Sequence, residues 1–268
     1  MEKLKELQNS LHLRKEAMTK TFIQRTEFRR PTIQGVELEL EVNERIFPPS
    51  PNGSFYAENI RVNPGETVID IGTGSGVLGI FAAKLGGIVS ATDIDHYAIE
   101  TAKRNASLNK VQIEFGQGTL FANFAKNFDV ILANLPNEIV PQVYLNSVGE
   151  ELAKTFDGGE RGNKHILDLL KAAKTHMHES SRFYLPVHTL TDYHETLREA
   201  MLHYQAQLIA LEQLPTKEFV DENIDLYLEL NKAGTIRIFL HQGKWHSNGY
   251  IFELRLSPGV AAGGVLER

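Results

Sequence analysis

Three observations predict an α/β fold, a mostly parallel sheet with helices on both faces. Residues Val68 to Gly79 read as a buried strand, a glycine turn and a helix start in immediate succession. Further along, strand and helix patterns alternate in the way a parallel sheet requires. The length of 268 residues suits one large domain with a modest appendage, at about 100 to 200 residues per domain.

The first element is an amphipathic helix over the first twenty residues, where Leu4, Leu7, Leu11 and Met18 recur at helical spacing. Residues 1–30 carry eight Lys/Arg against four Asp/Glu, an excess too small to argue for RNA. The helix is expected to pack across the core or to close as a lid. Residues 32–47 alternate apolar and polar around Gly35 and predict a half-exposed hairpin. Residues 1–46 therefore form an extension. Next, Phe47 to Tyr56 carries three prolines and an Asn-Gly pair and reads as a rigid loop.

The core, residues 47–256, is expected to hold strands near 67–71, 88–93, 111–115, 128–133, 182–188, 206–213 and 249–256. Helices are expected near 76–85, 96–108, 162–178 and 191–204. Residues 215–246 read as an insertion that shapes a substrate pocket or a dimer contact. The Pro-Gly-Ala-Ala-Gly-Gly stretch within 257–268 has nothing to bury and is expected to be a disordered tail.

The glycine turn points to a ligand. Gly72, Gly74 and Gly76 allow positive φ and a close approach to the backbone, and the free N–H groups of the helix start complete the cradle. Gly74, Gly76 and Gly79 also satisfy the dinucleotide spacing, so spacing alone leaves the ligand open. Asp70 argues further. A carboxylate just before the turn would repel a pyrophosphate but attract the ammonium and sulfonium of S-adenosylmethionine (AdoMet). About 20 residues on, a second strand ends on Asp93, the expected position of a ribose-binding acid in either cofactor class.

At these residues the sequence resembles a family. Asp70-Ile-Gly-Thr-Gly-Ser-Gly76, Asp93-Ile-Asp95 and Ala102-Lys-Arg-Asn105 resemble the class I AdoMet-dependent methyltransferases. Asp129-Val-Ile-Leu-Ala-Asn134-Leu135-Pro136-Asn137 resembles the fourth motif of the HemK/PrmC-like branch, usually Asn-Pro-Pro-Tyr, and Asp157-Gly-Gly-Glu-Arg-Gly162 also resembles that branch. The resemblance covers roughly residues 46 to 190. It implies a Rossmann-like class I methyltransferase fold, a seven-stranded mostly parallel sheet whose last strand enters antiparallel.

The resemblance also implies site residues. Asp70, Gly72, Thr73, Gly74, Gly76, Asp93, Ile94, Gly118, Thr119 and Asn134 would bind AdoMet, with Thr119 standing where the family usually has an acid on the adenine. Asn134, with Pro136 and Asn137, would orient the acceptor nitrogen, since positioning is the main device when the sulfonium is already a strong electrophile. Asn137 replaces the aromatic that stacks on a planar amide or base, which turns the expectation toward a small-molecule acceptor methylated on nitrogen or oxygen. Phe55, Tyr56 and Glu138 are assigned to the substrate pocket. Glu138 reads as a base, an ammonium ligand or, more plainly, a solvated loop carboxylate. His188, better placed for chemistry than His176 or His178, reads as structural.

Composition closes other routes. The chain has no cysteine, so disulfides, thiolate catalysis and Cys-ligated zinc are excluded. His176 and His178 do not resemble a metal pair, and no metal is expected. A net charge of −6 gives no global attraction to phosphate backbones. No apolar run reaches a membrane span, and the reading is a cytoplasmic protein. Three alternatives remain: attack at the γ-carbon of AdoMet (aminocarboxypropyl transfer or cyclisation to azetidine-2-carboxylate, releasing methylthioadenosine), a protein-glutamine or nucleic-acid N-methyltransferase, and a non-catalytic AdoMet-binding protein.

Overall fold

The computed structural model describes residues 27–42, 50–148 and 150–259. The expected N-terminal helix, residues 47–49 of the expected rigid loop and most of the expected tail lie outside the described residues; the rest of that loop, from Pro51 to Tyr56, is helical instead, because Ser50 caps a helix that starts on Pro51.

The extension contains β1 (Glu27–Arg29), β2 (Thr32–Ile33), β3 (Val36–Glu37) and β4 (Leu40–Val42). β2 and β3 form a hairpin through Gln34 and Gly35, both at positive φ, and β1 pairs with β4. Alternation sends Leu38, Leu40 and Val42 into the core, while Glu41 turns outward to Arg104. Helix α1 (Pro51–Glu58) follows. Ser50 Oγ accepts from the Gly53 N–H at 3.1 Å and proline stands at the helix start, a paired start signal.

The core then runs β5 (Thr67–Ile71), α2 (Val77–Lys84), β6 (Ile88–Asp93), α3 (His96–Leu108), β7 (Ile113–Gln117) and β8 (Val130–Ala133). After it come α4 (Gln142–Val148), α5 (Glu150–Ala153), α6 (Lys164–Ala173), β9 (Arg182–His188), α7 (Tyr193–His203) and β10 (Tyr204–Pro215). The chain closes with α8 (Glu218–Glu222), α9 (Ile224–Lys232), β11 (Ile238–His241) and β12 (Lys244–Leu256).

The main sheet has the order β10-β12-β9-β8-β5-β6-β7, with β11 pairing β12 as an eighth strand. β7, β6, β5, β8 and β9 are parallel, and β12 enters antiparallel between β9 and β10. This is the Rossmann-like class I architecture that the resemblance implied. One face of the sheet packs on α1 and α2 through Tyr56, Ile80 and Phe81; the other packs on α6 through Ile166, Leu169 and Leu170. β8 is buried along its whole length, as a strand covered on both faces must be. β5 has β6 on one side and β8 on the other, so a crevice opens at the carboxyl ends of these strands.

Several boundaries differ from expectation, four of them for a reason that the hydrogen bonds show. β7 starts two residues late because the Val111 N–H still closes the end of α3 on the Ala106 carbonyl. α6 ends at Ala173 and tightens into a 3₁₀ turn at Lys174–His176, whose His176 carbonyl accepts from the Phe128 N–H. β10 and β12 are longer than expected because they pair with each other from Tyr204↔Leu256 to Pro215↔His246. β12 thus begins inside the stretch read as an insertion. The rest of that stretch builds a small core of its own, in which Phe219, Val220, Tyr227 and Ile238 pack on Ile139 and Leu190.

Candidate active site

A cavity of about 930 Å³ opens at the carboxyl ends of β5, β6, β8 and β9, and it has two chemically different halves.

The first half is the glycine turn. Gly72, Gly74 and Gly76 all have positive φ, which only glycine adopts without strain. The Gly74 N–H donates to Asp93 Oδ2 at 3.0 Å and the Asp95 N–H to Asp93 Oδ1 at 2.9 Å, so the acid at the end of β6 is held by backbone. Burial nevertheless raises the Asp93 pKa above its ordinary value, these hydrogen bonds opposing it. Beneath the turn, Asp70 Oδ2 accepts from Thr73 Oγ1 at 2.6 Å and from the Gly79 N–H at 2.9 Å. Its Oδ1 is buried and has no partner among the described residues. Burial pushes the Asp70 carboxyl up to about 6 against those two hydrogen bonds, with Asp93 adding to the rise.

These features fit a cationic cofactor. A buried carboxylate with an unused oxygen favours nearby positive charge. A Cβ added at Gly74 would meet only the Gly72 carbonyl, at 4.0 Å, so space lies open over Gly74.

The second half begins where β8 ends. Asn134 projects into the cavity, exposed, and its side chain makes no hydrogen bond within the described residues. The next side chain, Leu135, lies over the turn so closely that a Cβ on Gly72 would collide with it. Asn137 Nδ2 is 3.4 Å from the Pro186 carbonyl. Gly162 fixes the path of this segment: a Cβ there would meet the Glu138–Ile139 backbone at 2.6 Å.

Glu138 is buried, not solvated as the sequence suggested. Lys217 Nζ donates to its Oε2 at 2.6 Å, His188 Nδ1 lies 3.7 Å from its Oε1, and Asn52 Nδ2 lies 3.4 Å from the same oxygen. Burial by itself would raise the Glu138 pKa. Lys217 and His188 outweigh it and hold the carboxyl below its ordinary range. Burial lowers the His188 pKa, Glu138 opposing and Lys217 assisting. Lys217 reaches this point because the 218–241 segment docks on the loop after β8, where Tyr227 Oη donates to the Ile139 carbonyl at 2.6 Å.

Of the expected site residues, Gly72, Gly74, Asp93, Ile94, Gly118, Thr119, Asn134, Pro136, Asn137, Glu138 and Phe55 line this cavity. Asp70, Thr73 and Gly76 lie under the turn instead. Thr73 donates to Asp70, and Gly76 packs against Ala102 and Ile80 at the start of α2. Tyr56 corrects the pocket assignment: it is fully buried, donates to the Tyr184 carbonyl at 2.7 Å and accepts from the Ala133 N–H at 3.1 Å, tying α1 to the sheet.

Sequence reasoning missed Asn52 and Lys217. Asn52 stands three residues before Phe55 on α1, so helical spacing from Phe55 could have found it. Lys217 carries no local signal. Within the described residues no group of three or more His, Asp or Glu comes together to hold a metal, and no helix is long and apolar enough to cross a membrane.

Residues 52–156 match the family model described as ribosomal protein L11 methyltransferase (PrmA). A Methanocaldococcus jannaschii protein, provisionally assigned as a protein N5-glutamine methyltransferase, is 28% identical over 190 residues, covering 70% of this chain and 94% of that one. The ribosomal protein L11 methyltransferase of Dictyoglomus thermophilum is 39% identical over 121 residues. That match spans only 39% of this chain and 40% of the relative. Among solved structures, a T. thermophilus 16S rRNA methyltransferase in complex with AdoMet and guanosine superposes with a TM-score of 0.55 at 15% identity, covering 86% of this chain and 50% of that one. Trm5b from Pyrococcus abyssi superposes with a TM-score of 0.52 at 18% identity, covering 86% and 56%. The fold is therefore that of the class I methyltransferases. Residues 52–156 are similar in sequence to the PrmA methyltransferases, and the relatives matched are named as methyltransferases.

Proposed function

We propose that this chain, similar over residues 52–156 to the PrmA methyltransferases, is an AdoMet-dependent methyltransferase that methylates a nitrogen or oxygen of a small polar acceptor. The observation that carries the proposal is Asn134: a side-chain amide with no hydrogen bond among the described residues, projecting from the end of β8 into the shared cavity. Such a group can accept from an acceptor N–H and turn the lone pair toward the methyl group.

AdoMet supplies an activated methyl group when bound. The chain's own residues do the rest. Asp93 would accept from the ribose hydroxyls, Gly72 to Gly76 would give the cofactor its backbone cradle, and Asp70 would supply negative charge from below. Thr119, exposed beside Gly118, stands at the adenine side. Asn137, Phe55 and Glu138 shape the acceptor pocket. We assign the Asn134-Leu-Pro-Asn137 stretch to a variant of the HemK/PrmC-like fourth motif. The curated relatives cited above are named as methyltransferases, which favours methyl transfer over attack at the γ-carbon.

A second reading has its own support. The M. jannaschii relative, matched over 94% of its length, is assigned to protein glutamine, so a glutamine side chain presented by a protein is the alternative acceptor.

The test is mass spectrometry after incubation with AdoMet alone, with the small-molecule fraction of an extract, and with its protein fraction. Adenosylhomocysteine formed with the small-molecule fraction is the expected result; formed only with the protein fraction, it establishes the second reading. Methylthioadenosine from AdoMet alone overturns both.

A further inference from the structure

The acceptor half of the cavity contains a pair of buried titratable groups that positioning by Asn134 does not use. His188 and Glu138 are each 5% exposed, both line the cavity, and they face each other with Nδ1 3.7 Å from Oε1. His188 Nδ1 is buried without a hydrogen-bond partner among the described residues. Nε2 lies 3.4 Å from Asn52 Nδ2 and 3.5 Å from Ser247 Oγ. An amide NH2 group can only donate, so Nε2 carries the lone pair and Nδ1 the proton, on the side of the ring that faces the carboxylate at 3.7 Å. The carboxylate is fixed in turn by Lys217, whose ammonium also stands over the rings of Phe156 and Phe219 at 5.7 and 5.9 Å.

We propose that His188 is the general base of the transfer, oriented by Glu138, and that the acceptor attacks through an O–H or N–H that gives its proton to Nε2. This rests on the methyltransferase reading of the site. As the acceptor atom bonds to the methyl carbon, the carbon–sulfur bond breaks. Its electron pair goes to sulfur, leaving the neutral thioether of adenosylhomocysteine. The acceptor proton moves to Nε2, and the imidazolium so formed is paired with Glu138 until it releases the proton to water. The acceptor group would address Nε2 from the position that the Asn52 amide holds in this structure, displacing it.

The charged groups facing the imidazole are Glu138, from the segment after β8, and Lys217, from the turn before α8; its other polar neighbours, Asn52 of α1 and Ser247 of β12, are neutral. Burial keeps the His188 pKa below the ordinary 6.5. The ring is therefore a neutral base at pH 7. Glu138 acts through the ring and is a positioning residue.

Two measurements test this. In protein labelled with ¹⁵N-histidine, the His188 signal, identified by its loss in His188→Gln, should show the Nδ1–H tautomer, neutral at pH 7. Glu138→Gln should lower its pKa further. An Nε2–H tautomer, or an imidazolium at pH 7, overturns the proposal, and should His188→Gln misfold, through-bond assignment of the wild-type signal gives the same readout. In the adenosylhomocysteine assay with the active extract fraction, His188→Gln should lower turnover about 100-fold or more, the scale of general base catalysis. Its AdoMet affinity by calorimetry should stay within about twofold, and the acid limb of the pH–rate profile should vanish. A loss below about tenfold, or an unchanged acid limb, overturns the base while leaving the methyltransferase reading intact. A wild-type protein that forms no adenosylhomocysteine from any fraction overturns that reading and the base with it.

Discussion

The two halves of the cavity each bury a carboxylate, and burial has opposite outcomes in them. Asp70, below the glycine turn, has hydrogen bonds but no cation, and its pKa rises to about 6. Glu138, beyond the end of β8, is as deeply buried, but Lys217 and His188 hold its pKa below the ordinary range. The difference lies in where each partner comes from. Asp70 is surrounded by its own turn and leaves an unused oxygen that suits a cationic ligand. Glu138 receives its cation from a residue 79 positions later. The half around the glycine turn is a local construction with charge left over, while the half beyond β8 is a tertiary construction with its charge already matched.

The largest effect should come from the group that belongs to both halves. Asn134→Ala should leave AdoMet binding within a few-fold and lower turnover about 100-fold or more, the scale of lost orientation. Binding by calorimetry beside single-turnover rates separates the two, and an unchanged rate removes Asn134 from the mechanism.

Asp70→Asn probes the unmatched charge. A carboxyl whose folded pKa is raised favours the protonated form. Its penalty is absent below the unfolded value near 3.8, grows as pH rises toward 6 and is complete above it. That interval corresponds to about 3 kcal/mol. Without AdoMet, the variant should therefore melt above wild type at pH 8, and the gap should shrink at pH 4. A gap that is constant with pH would show that Asp70 carries no such penalty.

Lys217→Met probes the matched charge, with the opposite sign. It leaves Glu138 buried without its cation and should cost about 2 kcal/mol in urea denaturation, less than a fully buried pair because the lysine side chain is 35% exposed. Adding Glu138→Gln to it should restore part of the loss; a double variant no more stable than the single would break the contrast drawn here.

The smallest effect should be Asp93→Asn. One charge-assisted acceptor becomes neutral, and AdoMet affinity should weaken by about 1 kcal/mol, roughly fivefold, with stability nearly unchanged.

How much of this was legible along the chain follows the same division. Strands 67–71, 88–93 and 182–188 and helix 96–108 stand where the pattern put them, because apolar β-branched runs and an Asp95 cap are local signals. The glycine turn, Asp93 and Asn134 lie on contiguous stretches, and the structure lines one cavity with them. Tyr56 was misread as lining the pocket. Neighbouring helical positions face different ways, and only packing shows that Phe55 turns to the cavity while Tyr56 turns to the sheet.

The sequence by itself therefore determined the α/β alternation and the glycine turn with Asp70 and Asp93 beside it, since each depends on neighbours within about ten positions. The tertiary structure alone decided the state of Glu138, the approach of His188, Asn52 and Lys217, and the extended pairing of β10 with β12. A carboxylate's ionisation depends on burial and on which charges stand within a few ångströms of it. Those distances are set by chain segments far apart in sequence, and no local pattern records them.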